Sequence, residues 1–245
     1  MSPEDVKLSI SIMHAPWSAW RRGIVAAQTK VIRGAPGVVR FSVVKDVWRE
    51  GFWRTARACL EESYRAPGAT HHLILQDDAE LCRDFVAGVR AVVAARPNDP
   101  IDLFCARKEA AEAEAHGVHW AELADAIFGL AIVYPVAFIP KWIAWDRAHV
   151  LPTLNSYDTR LRLYCGCADL PVAFCVPSLV EHIHNGPGAH RERGVNVHTS
   201  TTTAVRFLKD RSPLEIDWTK GASTPVRGGS FKTYLKANAV HMKGI

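Results

Sequence analysis

The sequence predicts an α/β fold: a mostly parallel, Rossmann-related sheet flanked by helices. Three observations carry that expectation. Short β-rich runs alternate with stretches of helical spacing from residue 6 to residue 182, the pattern of strands joined by helical crossovers. The apolar run Leu73-Ile74-Leu75 leads straight into Gln76-Asp77-Asp78, as expected where a strand buried on both faces ends at solvent. The 245 residues are 48% apolar and 22% charged, enough to fill a core and too apolar for a disordered or fibrous chain.

The elements follow in order. Val6 to Met13 reads as the first strand, ending at His14-Ala15-Pro16, and a helix over about 18–32 is closed by Gly34 and Pro36. Val38 to Val44 is the second strand, ending at Lys45-Asp46; Gly51 to Tyr64 is the second helix, stopped by Pro67-Gly68. After the strand 71–75, Phe85, Val86, Val89, Val92 and Val93 recur at helical spacing and predict a helix over 82–95. Ile101 to Cys105 is a fourth strand, and the Ala/Glu-rich stretch 109–116 a helix or an exposed excursion. Gly129 to Val133 and Val172 to Val176 are further strands, with helices over 135–149 and 157–163 between them. After His184 the run Asn185-Gly186-Pro187-Gly188 marks a flexible joint, which divides the chain into a domain over 1–184 and an extension over 185–245.

Charge divides at the same joint. Residues 185–245 hold ten Lys/Arg against four Asp/Glu, so the extension carries +6 and the remainder −1, out of a net +5. Such a segment suits phosphates, of a nucleotide or of a nucleic acid. The longest uncharged run, between Asp125 and Lys141, contains Pro135 and falls short of the roughly 20 residues a spanning helix needs. The N-terminus lacks the basic and apolar regions of a signal peptide. The six scattered cysteines fit free thiols in a reducing compartment, and Cys165-Gly166-Cys167 alone is a weak zinc signal. These features predict a cytoplasmic protein with no transmembrane segment.

Ligands of open α/β sheets bind outside the carboxyl ends of the strands. Here those ends carry His14, Asp46 and the cluster Gln76-Asp77-Asp78-Ala79-Glu80. Adjacent carboxylates after a buried strand repel each other unless positive charge lies between them. Mg2+ or Mn2+ bound together with a diphosphate would supply it; helix capping by one aspartate is the plainer alternative. His182 and His184 would share a face if their strand continues, and a neutral imidazole ligates metals. Neither the dinucleotide fingerprint nor the Walker phosphate loop is present.

These residues resemble the nucleotide-sugar-dependent glycosyltransferases of the GT-A fold. The likeness rests on Leu73-Ile74-Leu75-Gln76-Asp77-Asp78, on the strand ending at Asp46, and on Leu179-Val180-Glu181-His182, and it spans most of residues 6–184. The resemblance implies a nucleoside-diphosphate sugar, a UDP-sugar, as donor and Mn2+ or Mg2+ as cofactor. Asp78 would hold the metal, joined by His182; Asp77 would face the ribose or sugar. Met13, His14, Pro16, Asp46 and Trp53 would line the nucleotide pocket, and Arg191 and Arg193, in a loop that closes over the donor, would reach the diphosphate. Asp158 would be the general base of an inverting transfer. The family's acidic-x-acidic triplet stands here as Gln76-Asp77-Asp78 or, shifted, as Asp78-Ala79-Glu80.

The acceptor is open between a hydroxymethylated pyrimidine in DNA and a glycan or lipid-linked saccharide. The chain looks like compact phage-type DNA glycosyltransferases, which would place it in the host cytoplasm. Basic residues interleaved with Phe207, Trp218, Phe231 and Tyr234 suit a strand groove with stacking on a flipped base. A membrane-facing surface near Trp142 and Trp145 is the alternative for a lipid-linked acceptor. A non-catalytic nucleic-acid-binding α/β protein is the reading of another class.

Overall fold

The computed structural model describes residues 1–123, 127–183, 203–221, 236 and 238–243. Its centre is a seven-stranded sheet in the order β2-β1-β3-β7-β5-β8-β6. The strands are β1 (Leu8–His14), β2 (Val38–Lys45), β3 (His71–Gln76), β5 (Ile101–Asp102), β6 (Trp120–Leu123), β7 (Ala131–Pro135) and β8 (Val172–Cys175). β1 pairs parallel with β2 and β3, and β5 parallel with β8, whereas β7 runs antiparallel between β3 and β5 and β6 antiparallel beside β8. Five strands therefore share one direction, and the expected α/β fold with a mostly parallel sheet and flanking helices is the one observed. A separate antiparallel ribbon pairs β4 (Ala79–Leu81) with β9 (Val180–His182), setting Ala79 opposite His182.

Six helices cover the sheet: α1 (Ala19–Ile32), α2 (Phe52–Glu62), α3 (Phe85–Ala95), α4 (Glu109–Ala115), α5 (Phe138–His149) and α6 (Tyr157–Cys167). Side chains alternate across a strand, so β3 feeds two cores at once. Leu73 and Leu75 join Ile10, Val25, Val89 and Val93 on the side of α1 and α3; Ile74 joins Leu60, Ile132, Trp142 and Leu161 on the side of α2, α5 and α6. This double burial is why β3 reads as an unbroken apolar run. Truncating Ile74 to alanine should cost about 2–5 kcal/mol.

The described parts of residues 185–245 are built onto the same body. Ser178 N donates to Arg206 O at 2.7 Å and Val205 N to Cys105 O at 3.1 Å. Near the C-terminus, Met242 bridges to Val150 and Leu151 N donates to His241 O at 2.8 Å.

Two sequence expectations, on Trp218 and Trp142, are corrected here. Trp218 offers no stacking face: it is buried in the α1/α3-side core, its indole N–H donates to Pro213 O at 2.9 Å, and its own carbonyl accepts from Trp120. Trp142 cannot face lipid, because it is fully enclosed among Trp53, Tyr134 and Tyr157. Cys165 is buried and Cys167 exposed; positions two apart on a helix face different ways, so this pair does not converge on a metal. No helix among the described residues is long and apolar enough to cross a membrane.

Candidate functional site

The site is built on the carboxyl ends of β1 and β3. Parallel pairing in register sets Met13 beside Gln76, so the loops that follow, His14-Ala15 and Asp77-Asp78, meet directly. Asp77 Oδ2 accepts from Ala15 N at 2.6 Å and lies 2.9 Å from His14 Nδ1. Both aspartates are buried, Asp77 at 3% and Asp78 at 4% exposure. Burying two adjacent carboxylates costs several kcal/mol unless charge and hydrogen bonds compensate.

Arg21 supplies that compensation. Its guanidinium spans the pair, one NH2 group on Asp77 Oδ1 and the other 2.6 Å from Asp78 Oδ2. It projects from the buried stripe of α1, where Arg21, Val25, Gln28 and Ile32 follow one another at helical spacing. Gln28, two turns on, donates to Gln76 O at 2.9 Å and Ala79 O at 2.8 Å and so fixes both ends of the acidic loop. Sequence reading sought the positive charge in a cation and overlooked Arg21. The signal was an arginine in the register of a buried face.

The ribbon β4–β9 brings the histidine in. Ile183 N donates to Asp78 O at 2.8 Å, and His182 Nε2 lies 3.3 Å from Asp78 Oδ2. Burial pushes the Asp78 carboxyl up, but the hydrogen bond from His182 and the Arg21 charge together hold it below the ordinary carboxylate value. Burial lowers the Arg21 pKa, and the two aspartates more than reverse that. Asp78 Oδ1 is buried without a hydrogen-bond partner.

Other expected residues fall around this centre. Asp46 N donates to His14 O at 2.9 Å, while the Asp46 carboxylate accepts from Glu50 N at 2.7 Å and Gly51 N at 3.3 Å, closing the loop that enters α2. Gly51, at φ 114, is packed so closely on Asn155 that an added Cβ would lie 2.2 Å from its amide nitrogen. Met13 is buried and Pro16 half-buried, with Pro16 O accepting from Arg22 at 3.0 Å. Trp53 is buried against Trp142 and under the Arg160 guanidinium. Glu80, the far member of the shifted triplet, sits in β4 opposite Glu181. Arg191 and Arg193, with His184 and His190, lie outside the described residues.

Asp158 occupies the first turn of α6, capped by Ser156, whose side chain accepts from Thr159 N. The Ser156 hydroxyl also donates to Asp158 Oδ1. The link to the acidic loop runs through Gly129: Gln76 Nε2 donates to Gly129 O at 2.7 Å, and Gly129 packs on Tyr157 and Asp158. Beneath them is Asp102, another carboxylate the sequence did not single out. It is fully buried, accepts from Phe104 N and Phe128 N, and is pushed up to about 7 by burial, the nearby Asp158 charge adding to the shift.

The arrangement is a buried cluster of two carboxylates, one arginine and His14, closed by the half-buried His182, with the half-buried Asp158 one loop away.

No family model matches the sequence, and no curated protein matches it. Among solved structures, one described as the crystal structure of a glycosyltransferase involved in the glycosylation of the major capsid of PBCV-1 superimposes with a TM-score of 0.42 and 10% identity, over 77% of this chain and 98% of that one.

Proposed function

We propose that this chain is a glycosyltransferase that moves a sugar from a nucleoside-diphosphate sugar, a UDP-sugar, to an acceptor hydroxyl. The observation that supports it most is the meeting of His14, Arg21, Asp77, Asp78 and His182 at the carboxyl ends of β1 and β3, with Asp78 Oδ1 left without a partner.

The fit to Mg2+ or Mn2+ rests on that oxygen, a hard donor of the kind these cations take. Among the described residues no three His, Cys, Asp or Glu side chains gather as a cage, so the protein would supply two ligands, Asp78 and His182. Diphosphate oxygens and water would complete the shell, the habit of these small, hard cations. When bound, the cation would neutralise charge on the diphosphate as it departs.

The remaining steps belong to this chain's own side chains. His14, Arg21 and Ala15 N engage both oxygens of buried Asp77, which fixes the loop backbone that would face the ribose or sugar. Asp46 holds the loop into α2 and so shapes the wall beside the nucleoside. Asp158 accepts the proton of the acceptor hydroxyl while that oxygen bonds to the anomeric carbon and the bond from this carbon to the diphosphate breaks. The products are the glycosylated acceptor, the nucleoside diphosphate and a protonated Asp158. Transfer proceeds with inversion, since one displacement occurs.

The favoured acceptor is a hydroxymethylated pyrimidine in DNA, and the alternative is a glycan or lipid-linked saccharide. The test is to incubate the protein with a panel of UDP-sugars and either hydroxymethylcytosine-containing DNA or saccharide acceptors, and to weigh the products by mass spectrometry. One hexose added to the DNA supports the reading in full. Transfer to a saccharide alone replaces the acceptor. With Asp158→Asn, UDP binding should persist and product should fall by about 100-fold or more; undiminished product removes Asp158 as base.

A further inference from the structure

A cavity of about 610 Å3 opens between the start of α2, the end of α5, the loop before α6 and the C-terminal segment. Its rim is cationic. Arg54 and Arg57 enter from α2, Arg147 from α5, and Lys243 from the segment that bridges to Val150. Glu50 and Asp146 are the acidic members of the lining, and both are already paired, with Arg54 at 2.9 Å and with Arg160 at 2.7 Å. Arg160 sits deep and satisfied: it donates to Asp146, Leu154 O and Leu151 O. The lining therefore holds five cations, Arg54, Arg57, Arg147, Arg160 and Lys243, against two acids; Lys243 Nζ also donates to Arg147 O at 2.5 Å, and Arg57 pairs with exposed Glu61 at 3.1 Å, a pairing worth little in water.

Beside this cavity stands a bare aromatic ring. Trp48, two residues before Glu50, is 83% exposed, next to exposed Val47. The loop holds this shape because Asp46 ties its far end at Glu50 and Gly51, and because Arg49, at φ 54, lays its guanidinium over Trp17 at 5.1 Å. The same loop begins at Asp46, hydrogen-bonded to His14. Trp48 and the α2 cations thus follow β2, whose end is tied to His14 at the end of β1.

We propose that this cavity and Trp48 form a dock for a nucleic-acid strand, phosphates held by Arg54, Arg57, Arg147 and Lys243 and one base stacked on Trp48. Cations spaced along a groove beside an exposed aromatic ring are the chemistry of single-strand binding, where phosphates provide attraction and stacking tolerates any base. The dock deepens the acceptor half of the proposed function and rests on it for its purpose; strand binding itself is measurable without turnover.

The experiment is fluorescence anisotropy of a labelled oligothymidylate of about twelve nucleotides over a salt series, with UDP titration of each variant in parallel. Arg54→Gln with Arg57→Gln should weaken binding and reduce the slope of log affinity against log salt by about 1.4, some 0.7 per lost phosphate contact. Trp48→Ala should weaken binding about tenfold with the slope unchanged. UDP binding should stay as in the wild type for all three substitutions. Unaltered oligonucleotide binding in the arginine variant overturns the dock, as does absence of binding by the wild type. Loss of binding to phosphatidylglycerol vesicles in that variant, with DNA binding intact, would overturn it in favour of a membrane surface. If UDP fails to bind while the oligonucleotide behaves as described, the donor reading falls and the dock stands.

Discussion

Two charged regions of this molecule are built on opposite terms. At the end of β3 the charges are buried and tied to one another: Asp77 takes His14, Ala15 N and Arg21, and Asp78 takes Arg21 and His182. Around the start of α2 the charges are cationic, mostly solvent-facing and only loosely paired, with i,i+4 partners Glu50 and Glu61 for Arg54 and Arg57. The first arrangement is a fixed pocket in which each group holds the next in place, suited to positioning a small donor. The second is an adaptable surface in which long side chains remain available, suited to a polyanion. The same charge type therefore means different things on the two sides: Arg21 is structural, whereas Arg57 contributes little to the fold.

The comparison breaks most visibly at Arg21. Arg21→Ala leaves two buried carboxylates uncompensated and should cost about 3–5 kcal/mol by urea denaturation. Adding Asp78→Asn to that variant should restore part of the loss, because one of the two stranded charges is gone. If Arg21→Ala proves as stable as the wild type, the pocket is not held by this charge network.

Next in size is the acidity beneath the pocket. Asp102 has a folded-state value of about 7 against an ordinary 3.8, through burial. The folded protein therefore keeps a proton that the unfolded chain releases. That stabilisation is complete below about pH 4, declines as pH rises, and is gone above about 7, a change of up to roughly 4 kcal/mol. Burial also holds His72 at about 4 and His71 below its ordinary value, and these oppose the trend below about pH 6.5, so the readout is the wild-type stability less that of Asp102→Asn. That difference should fall between pH 5 and pH 8, on top of a constant offset for the hydrogen bond from Phe128 N, and a difference that rises over this range contradicts the assignment.

Ser156 yields a smaller effect. Ser156→Ala removes the cap of α6 and should destabilise by about 1 kcal/mol, while freeing the Asp158 oxygen it contacts. Thermal melting reads the first consequence and transfer rate the second. The smallest effect belongs to the open region: Arg54→Gln with Arg57→Gln should change stability by less than about 0.5 kcal/mol. A loss of several kcal/mol there would erase the contrast between the two regions.

Much of this was legible in the residues, because local pattern and tertiary demand agree along β1, β2, β3 and α1. The acidic loop announced itself as charge after an unbroken apolar run. Features depending on distant partners were not legible. β6 forms only by pairing with β8, and β4 only by meeting β9 about a hundred residues later. The tryptophans show the same limit: Trp218 reads as a stacking residue in a basic segment and is core, while Trp48, with nothing in its local pattern to mark it, stands in solvent. Residue type fixes what a side chain can do, and only packing fixes whether it is reached. Arg21 is the intermediate case, visible as a charge in the buried register of α1 yet without meaning until its partners are known.

The central claim is that the acidic pocket binds a nucleoside diphosphate with a divalent cation on Asp78. Calorimetric titration of the full chain with UDP, in Mn2+ and again in EDTA, tests it most directly, with Asp78→Asn alongside. Binding in Mn2+ that is lost in EDTA and in Asp78→Asn, with the melting curve of the variant showing a folded protein, is the expected result. UDP binding of equal strength in Mn2+, in EDTA and in Asp78→Asn, or no binding of any nucleoside diphosphate, would contradict it.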